Sequence, residues 1–142
     1  MHPKTLTFSQ DARRKIGEGV DIISNAVACT MGPRGRNVII ERGPGLSGRV
    51  TKDGVTVANN VAVADRYKNL GVELVKEASQ KSNDLAGDGT TATCVLAQAI
   101  FNEANKKIAA GFDPTMLKRG IDKGVAAYVE KLKASAQKVN DL

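Results

Sequence analysis

The stretch that decides the fold of this chain is residues 83–100, which read NDLAGDGTTATCVLAQAI. The GDG segment at 87–89 interrupts one helical pattern, and a second pattern begins near Thr90. Backbone N–H groups at the start of a helix carry partial positive charge and have no internal partner, so they bind anions readily. Glycines let a phosphate approach the backbone, Thr90 and Thr91 add hydroxyl donors, and the carboxylate of Asp88 is suited to magnesium.

The same segment also has a plainer interpretation. An Asx-type turn at Asp88, followed by Thr90 as an ordinary helix N-cap, uses the same residues without any ligand. Taken alone, the motif leaves phosphate binding and a simple turn equally open.

Apolar residues at helical spacing predict a long helix on each side of this stretch. The helix before it covers about residues 69–83, and the helix after it begins near Thr90 and ends at Gly111, a residue suited to a left-handed stop. The residues expected to form the apolar side of the first helix are Leu70, Leu74, Val75 and Ala78. Those of the second are Val95, Leu96, Ala99, Ile100 and Ile108.

Two further helices are predicted at the ends of the chain. The first runs from Ser9, a plausible N-cap, to Thr30, and Gly32-Pro33 stops it because proline cannot continue the helical ladder. Its apolar face carries Ile16, Val20, Ile23 and Val27. The last helix follows Asp113 as cap and Pro114 in its first turn, with Phe112 stapled onto Leu117. Its apolar stripe is Leu117, Ile121, Val125, Tyr128 and Leu132.

Between these helices lies one predicted β-hairpin. A β-branched run at 37–40 and a second run at 49–51 flank the Gly- and Pro-rich tip GPGLSG at 43–48, and a short helix follows Asp53-Gly54. The tip matches GxGxxG, but a strand follows it instead of a helix, so we interpret it as a hairpin loop and not as a dinucleotide site. The predicted fold is mainly α: a bundle of long helices with one β-hairpin.

Composition narrows the class of protein. The chain has 142 residues, which favours one compact domain, and its 42% apolar and 25% charged residues are typical of a globular protein. Its apolar runs fall short of the roughly 20 residues of a membrane span, and an apolar signal core is missing, so we expect a cytoplasmic protein without a membrane partner. An organelle matrix remains an alternative for a processed chain. Cys29 and Cys94 fit no zinc spacing and are expected to be buried free thiols.

The net charge of +6 raises the question of nucleic-acid binding. The excess of basic residues lies at the two ends of the chain, whereas residues 50–105 hold more acidic than basic groups. Dense basic runs with interleaved aromatic residues are not seen in the sequence. Solvated helix faces explain this charge better, and we expect no nucleic-acid partner.

Two other segments are candidates for the same site as Asp88. Thr30-Met31-Gly32-Pro33 follows the first helix, where free carbonyls can accept from a cation or a ribose, and Thr51-Lys52-Asp53-Gly54 ends the hairpin. Lys52 can offset phosphate charge, and Asp53 can orient a water for in-line attack on a γ-phosphate. Individually, each segment is better explained as an ordinary turn.

The combination of these segments resembles one family. ACTMGPRGRNVII, VTKDGVTVA, NDLAGDGTTATCVLAQAI and AAGFDPTMLKRGIDKGV occur here in the order and spacing of the group I chaperonins, the GroEL or 60 kDa chaperonin family. The resemblance extends over essentially the whole chain. LKRGIDK and GPRGRNV are closer to the bacterial and organellar group than to the archaeal and eukaryotic cytosolic group.

The resemblance implies an ATP-driven folding machine built as a double ring, a homo-oligomer that encloses unfolded protein clients under a co-chaperonin. Residues 1–142 match the N-terminal half of the equatorial ATP-binding domain. The intermediate and apical domains, which hold clients and co-chaperonin, and the C-terminal half of the equatorial domain are not matched. The expected function is therefore that of an ATP-binding segment, and alone it is expected to bind ATP weakly and to show no turnover.

The resemblance also implies roles for individual residues. Thr30, Met31, Gly32 and Pro33 would line the nucleotide, and Asp88, Gly89, Thr90 and Thr91 would hold its phosphates, with Asp88 on Mg²⁺. Thr30 and Lys52 would lie near an activating K⁺, and Asp53, followed by Gly54, would help to position the attacking water as the catalytic residue.

The chain departs from the family pattern at Ala92, where a third threonine is usual after GDGTT. The substitution removes one hydroxyl near the phosphates and leaves the backbone donors, so we expect weaker phosphate contact. The alternative function is a standalone interaction module that has the chaperonin fold but no turnover.

Overall fold

A computed structural model describes residues 6–137 of the chain. Within this range it contains five α-helices and two short β-strands. They are α1 (Ser9–Ala28), β1 (Val38–Ile40), β2 (Arg49–Thr51), α2 (Gly54–Asn60), α3 (Arg66–Ala86), α4 (Thr90–Ala109) and α5 (Pro114–Ser135). The prediction of a helical bundle with one hairpin is confirmed. The chain divides into two compact units, the first ending at Asn102 and the second beginning at Glu103 within α4.

The core of the first unit is built on close contact between α1 and α3. A Cβ placed on Gly19 would overlap the backbone carbonyl of Lys68, and one placed on Gly71 would overlap the carbonyl of Ile16. Only glycine fits at these two positions, and the two helix backbones therefore touch. Small β-branched residues fill the space around this contact, which agrees with the scarcity of aromatic residues. The buried apolar residues are Val20, Ile23, Val27, Val57, Ala58, Val72, Val75 and Cys94.

The predicted inner face of α3 is partly wrong. Leu70 and Leu74 are 54% and 57% exposed, whereas Val72 and Val75 are buried and Ala78 is half-buried. The position of Gly71 explains the difference, because the glycine that touches α1 turns the residues on its own side of the helix inwards. Large apolar residues thus lie on the solvent side of this helix.

The first part of α4 shows a similar shift. Cys94 is fully buried, and Ala97 and Phe101 pack against the core. Val95 is half-buried, but Leu96, Ala99 and Ile100 are exposed. The predicted apolar side of α4 is therefore offset from the side that the first unit buries.

The hairpin and the short helix after it are confirmed. β1 and β2 are antiparallel, with Val38 opposite Thr51 and Ile40 opposite Arg49. The GxGxxG segment lies in the connection between the two strands, as the hairpin interpretation requires. The apolar side chains of Ile39 and Val50 are 75% and 60% exposed, so this two-stranded sheet leaves a face uncovered.

Helix ends follow the sequence signals with one exception. Asp113 caps α5 through the amide of Met116, Gly87 ends α3 in the left-handed conformation, and Gly111 has a positive φ just beyond α4. The prediction that Ser9 caps α1 is wrong, because Ser9 is the first helical residue and has a φ of 54°. The N-cap is Phe8, which has the required extended backbone but no capping side chain.

The second unit contains the end of α4 and all of α5. Residues 103–137 include no buried residue. Leu117 and Ile121 of the predicted stripe are half-buried, while Val125, Tyr128 and Leu132 are exposed. Within this unit, α5 therefore buries none of its apolar residues.

Within residues 6–137 no helix is both long enough and apolar enough to cross a bilayer. In the sequence, polar and apolar side chains alternate within residues 4–8, and the first two of these residues lie outside the described part of the chain.

Candidate functional site

The three candidate segments meet at Gly54, the first residue of α2. A Cβ on Gly54 would overlap Oγ1 of Thr91, and it would lie 3.2 Å from Oγ1 of Thr30 and 3.3 Å from Cγ1 of Val27. Thr30 follows α1, Gly54 starts α2, and Thr91 belongs to the first turn of α4. Segments far apart in the chain therefore bring two threonine hydroxyls together over one glycine.

The segment after α1 folds back onto the end of that helix. The Thr30 hydroxyl donates to the carbonyl of Val27 at 2.8 Å, and the Arg36 amide donates to the carbonyl of Cys29 at 2.8 Å. Gly35 is buried, since a Cβ there would overlap the carbonyl of Thr30. This loop holds Thr30 against the core. Met31, Gly32 and Pro33 lie on its exposed side, where a ligand can reach them.

Asp53 occupies the N-cap position of α2. Its carboxylate accepts hydrogen bonds from the amides of Val55 and Thr56 at 3.2 and 3.0 Å, and from the Thr56 hydroxyl. The Thr56 hydroxyl bond is the main reason why the pKa of Asp53 is below its usual value; the two amide bonds and Arg49 act in the same direction, and burial opposes them. Asp53 is therefore an ionised, oriented carboxylate beside Gly54. Its neighbour Lys52 is exposed.

The loop before α4 leaves the start of that helix open. Gly87 and Gly89 have φ values of 68° and 81°, a region that glycine enters without strain. Asp88 is exposed, and its Oδ1 accepts from the amide of Gly89 at 2.6 Å. The following amides, at 90–92, lie in the first turn, where the helix supplies no acceptor. No side-chain acceptor from residues 6–137 contacts them.

This geometry fits the binding of an anion with an associated cation. The first turn of α4 points free N–H groups and the partial positive charge of the helix towards the loop. The second oxygen of Asp88 accepts no hydrogen bond from the described residues, so it is free for a cation. Mg²⁺ in proteins is commonly held by one or two carboxylates together with substrate phosphates and water. Around Asp88, as elsewhere in residues 6–137, no group of three metal-binding side chains occurs.

The structure thus brings together some of the predicted site residues and not others. Thr30, Gly54 and Thr91 are adjacent, and Asp53 is next to them in sequence. The buried Thr90 packs inwards, so its backbone is better placed for a ligand than its side chain. The side chains of Lys52 and Asp88 are exposed at the ends of their segments.

Sequence reasoning missed several residues that shape this region. Ser24 and Ser79 are buried and donate hydrogen bonds to carbonyls of α4, and the partly buried Ser82 donates to the carbonyl of Asp88. Serine within a helix carries little information about which neighbour it will contact, so the sequence offered only a weak signal.

The two cysteines differ in environment. Cys94 is fully buried, and burial raises the pKa of its thiol while a hydrogen bond with Ser79 opposes the shift. Cys29 is exposed, so the prediction of two buried thiols is wrong for this residue. Cys29 follows the last residue of α1, where the chain leaves the core, and its Sγ lies 3.0 Å from the carbonyl of Ala26.

The chain is similar to known proteins in both sequence and structure. The model of the TCP-1/cpn60 chaperonin family matches residues 23–142. Among solved structures, the chain is similar to the chaperonin gp146 from the bacteriophage EL of Pseudomonas aeruginosa, determined in the presence of ATP-BeFx. The TM-score is 0.74 and the sequence identity is 31%. The match covers 92% of this chain and 22% of gp146, so this chain spans about a fifth of the length of that protein.

Proposed function

This chain belongs to the TCP-1/cpn60 chaperonin family, of which it is an N-terminal equatorial segment, and we propose that it forms one wall of an ATP–magnesium site. In the intact subunit this site would couple ATP hydrolysis to protein folding. The observation that carries the proposal is the meeting of Thr30, Gly54 and Thr91 at one point, beside the open start of α4. An ordinary set of turns has no need for three distant segments to converge on a position that only glycine fits.

In the proposed site the phosphates bind at the start of α4. The backbone amides of Thr90 and Thr91 donate to phosphate oxygens, and the Gly89 amide would join them once it releases Oδ1 of Asp88, the protein ligand of Mg²⁺. Bound Mg²⁺ would supply charge neutralisation for the transferred phosphoryl group. Ala92 contributes its amide but no hydroxyl, so phosphate binding here depends mostly on the backbone.

The remaining residues surround the nucleotide. Thr30, Met31, Gly32 and Pro33 line it from the end of α1, and Thr30 and Lys52 are the proposed neighbours of an activating K⁺. Asp53 is proposed as the catalytic residue, because it is ionised and held by its cap bonds next to Gly54. Residues outside this chain would contact the adenine and ribose and complete the catalytic carboxylates.

Assembly into a homo-oligomeric double ring is also a proposal. The uncovered face of the hairpin, with Ile39 and Val50 exposed, supports pairing of β1 with a neighbouring subunit. Unfolded proteins and a co-chaperonin would bind through domains that this chain does not include, in the cytoplasm or an organelle matrix. A structure of the ring in which the backbone of residues 37–40 meets only solvent would contradict the pairing.

Titration calorimetry of the intact protein with ATP, with and without Mg²⁺ and K⁺, tests the proposal together with a phosphate-release assay. We expect magnesium-dependent binding and potassium-dependent turnover. Binding without turnover would favour the standalone interaction module. Failure to bind ATP in the presence of both cations would overturn the nucleotide site itself.

A further inference from the structure

Three serine hydroxyls donate hydrogen bonds to backbone carbonyls in the first two turns of α4 and in the loop that precedes this helix. Ser82 Oγ donates to the carbonyl of Asp88 at 3.2 Å, and Ser79 Oγ donates to the carbonyl of Thr90 at 3.1 Å. Ser24 Oγ, on α1, donates to the carbonyl of Cys94 at 3.0 Å. The first two bonds join α3 to the beginning of α4, and the third joins α1 to the second turn of α4.

The two serines on α3 are one turn apart in position and face the same loop. Ser79 is 5% exposed, and its hydroxyl also contacts the thiol of the buried Cys94. Ser82 is partly buried, and its Oγ lies 3.4 Å from the position of a Cβ on Gly89. The hydroxyls thus bond the carbonyls of residues 88 and 90, each of which directly precedes an amide that the proposed site uses.

These bonds act on carbonyls at the N-terminal end of α4, where the N–H groups have no helical partner. The Asp88 carbonyl precedes the helix, and the Thr90 carbonyl is among the first that the helical ladder uses. A carbonyl oxygen has two lone pairs, so a serine hydroxyl adds a bond without replacing the helical one. Because a peptide plane is rigid, fixing the carbonyl of one residue also fixes the direction of the next residue's N–H. Ser82 and Ser79 therefore orient the amides of Gly89 and Thr91.

We infer that Ser79 and Ser82 are positioning residues that aim the backbone amides at 89–91 towards a phosphate. The inference rests on the proposed nucleotide site and specifies how that site is held in shape. Neither serine touches the ligand. Their effect is to keep the amides oriented before phosphate arrives, which lowers the ordering cost of binding.

The test compares Ser79→Ala with Ser24→Ala in the intact protein. Both serines are buried and both donate to a carbonyl of α4, so loss of either hydroxyl removes one comparable bond to a carbonyl, and Ser79→Ala also removes the contact with the Cys94 thiol. The bond of Ser79 ends at Thr90, in the proposed phosphate-binding turn, and the bond of Ser24 ends at Cys94. If the inference holds, Ser79→Ala weakens MgATP binding by about fivefold, the worth of one hydrogen bond, and Ser24→Ala leaves it unchanged.

Amide hydrogen exchange without nucleotide gives a second readout. The Cys94 amide donates to the Thr90 carbonyl within the helix, and the Gln98 amide donates to the Cys94 carbonyl. We expect Ser79→Ala to speed exchange at Cys94, and Ser24→Ala to speed it at Gln98. Adding Ser82→Ala to Ser79→Ala is expected to weaken MgATP binding further.

The outcomes separate this inference from the proposed function. Equal loss of MgATP affinity in Ser79→Ala and Ser24→Ala would overturn the inference and reduce both serines to packing residues. Unchanged affinity and unchanged exchange at Cys94 in Ser79→Ala would also overturn it. If the unsubstituted protein fails to bind MgATP, the proposed function is lost, and the exchange at Cys94 then decides whether Ser79 orients this turn.

Discussion

The first turns of α2 and α4 lie side by side, but only the first turn of α2 is capped by a side chain. At α2 the carboxylate of Asp53 accepts from the amides of Val55 and Thr56, so the helix supplies its own anion. At α4 the carboxylate of Asp88 turns back to the amide of Gly89 and leaves the first turn uncapped. Because residue 54 is a glycine, Thr91 of α4 can contact the start of α2.

In the proposed site, this difference gives separate tasks to two aspartates in similar sequence settings. Asp53 precedes Gly54, and Asp88 precedes Gly89, yet only one of them caps a helix. The capped start is stable without a ligand and holds a charged group in one orientation. The open start keeps its amides available for phosphate, at the cost of the stability that a cap contributes, about 1 kcal/mol.

The largest effect is expected from Asp88→Ala in the intact protein. Loss of the proposed metal ligand should weaken magnesium-dependent ATP binding by on the order of a hundredfold, because interactions worth several kcal/mol disappear. Calorimetry with MgATP measures the change. Asp84→Ala is the matched control, since Asp84 is an exposed aspartate nearby that contacts only the Gln80 amide group. Equal losses in the two variants would indicate a general charge effect and contradict the assignment.

The contact between the two helix starts is tested by Gly54→Ala. The added methyl group overlaps Thr91 Oγ1, and we expect a loss of stability of about 1–3 kcal/mol together with weaker MgATP binding. Gly124→Ala is the control, because a Cβ at Gly124 meets no atom within 4 Å.

A double variant separates crowding from the role of the hydroxyl. Gly54→Ala with Thr91→Ala relieves the overlap and should regain part of the stability, while MgATP binding stays weak. Recovery of both properties would show that Thr91 has no part in the site. Chemical denaturation and calorimetry provide the two measurements.

The capped start is tested with two substitutions of Asp53. Asp53→Ala removes the cap and should cost about 1 kcal/mol of stability as well as slowing hydrolysis. Asp53→Asn keeps one capping oxygen but loses the charge, so at neutral pH it should lose less stability than Asp53→Ala while hydrolysis slows. Asp65→Ala removes a comparable cap, at the start of α3, and should reduce stability without a direct effect on hydrolysis. If Asp53→Asn hydrolyses ATP at the normal rate, Asp53 is a cap alone.

The smallest expected effect concerns acid stability. The pKa of Asp53 is lowered in the folded chain, mainly by the Thr56 hydroxyl bond, so the ionised group favours the folded state. This contribution is complete above the unfolded pKa, about 3.9, and is lost as the pH falls through the lower folded pKa. Denaturation midpoints between pH 7 and pH 3 should therefore fall less steeply in Asp53→Asn. Parallel curves for the two proteins would contradict a stabilising charge at this position.

Local signals predicted most of the fold. The cap at Asp113, the left-handed end at Gly87 and the hairpin all depend on residues close together in sequence, and the structure confirms them. The inner face of α3 was predicted incorrectly because it depends on Gly71 meeting α1, and a contact between distant residues leaves no periodic signal. Leu74 looked like a core residue for the same reason.

In the candidate site, too, local features were easier to predict than contacts between residues far apart in sequence. The start of α4 near Thr90 was predicted from the glycines and threonines near Asp88, but these residues left phosphate binding and a capped turn equally open. The family resemblance suggested that the segments share one site, but it did not reveal Gly54 as the point where Thr30 and Thr91 meet. The hydrogen bond from Ser79 to the Thr90 carbonyl could not be predicted from the sequence either, because it depends on how α3 packs against α4.

A structure of the intact protein with Mg²⁺ and a non-hydrolysable ATP analogue tests the central claim most directly. The account predicts phosphate oxygens within hydrogen-bonding distance of the amides at 89–91, a Mg²⁺ ion on Asp88, and Asp53 still capping α2. A nucleotide bound elsewhere, with the first turn of α4 contacting only solvent, would contradict it.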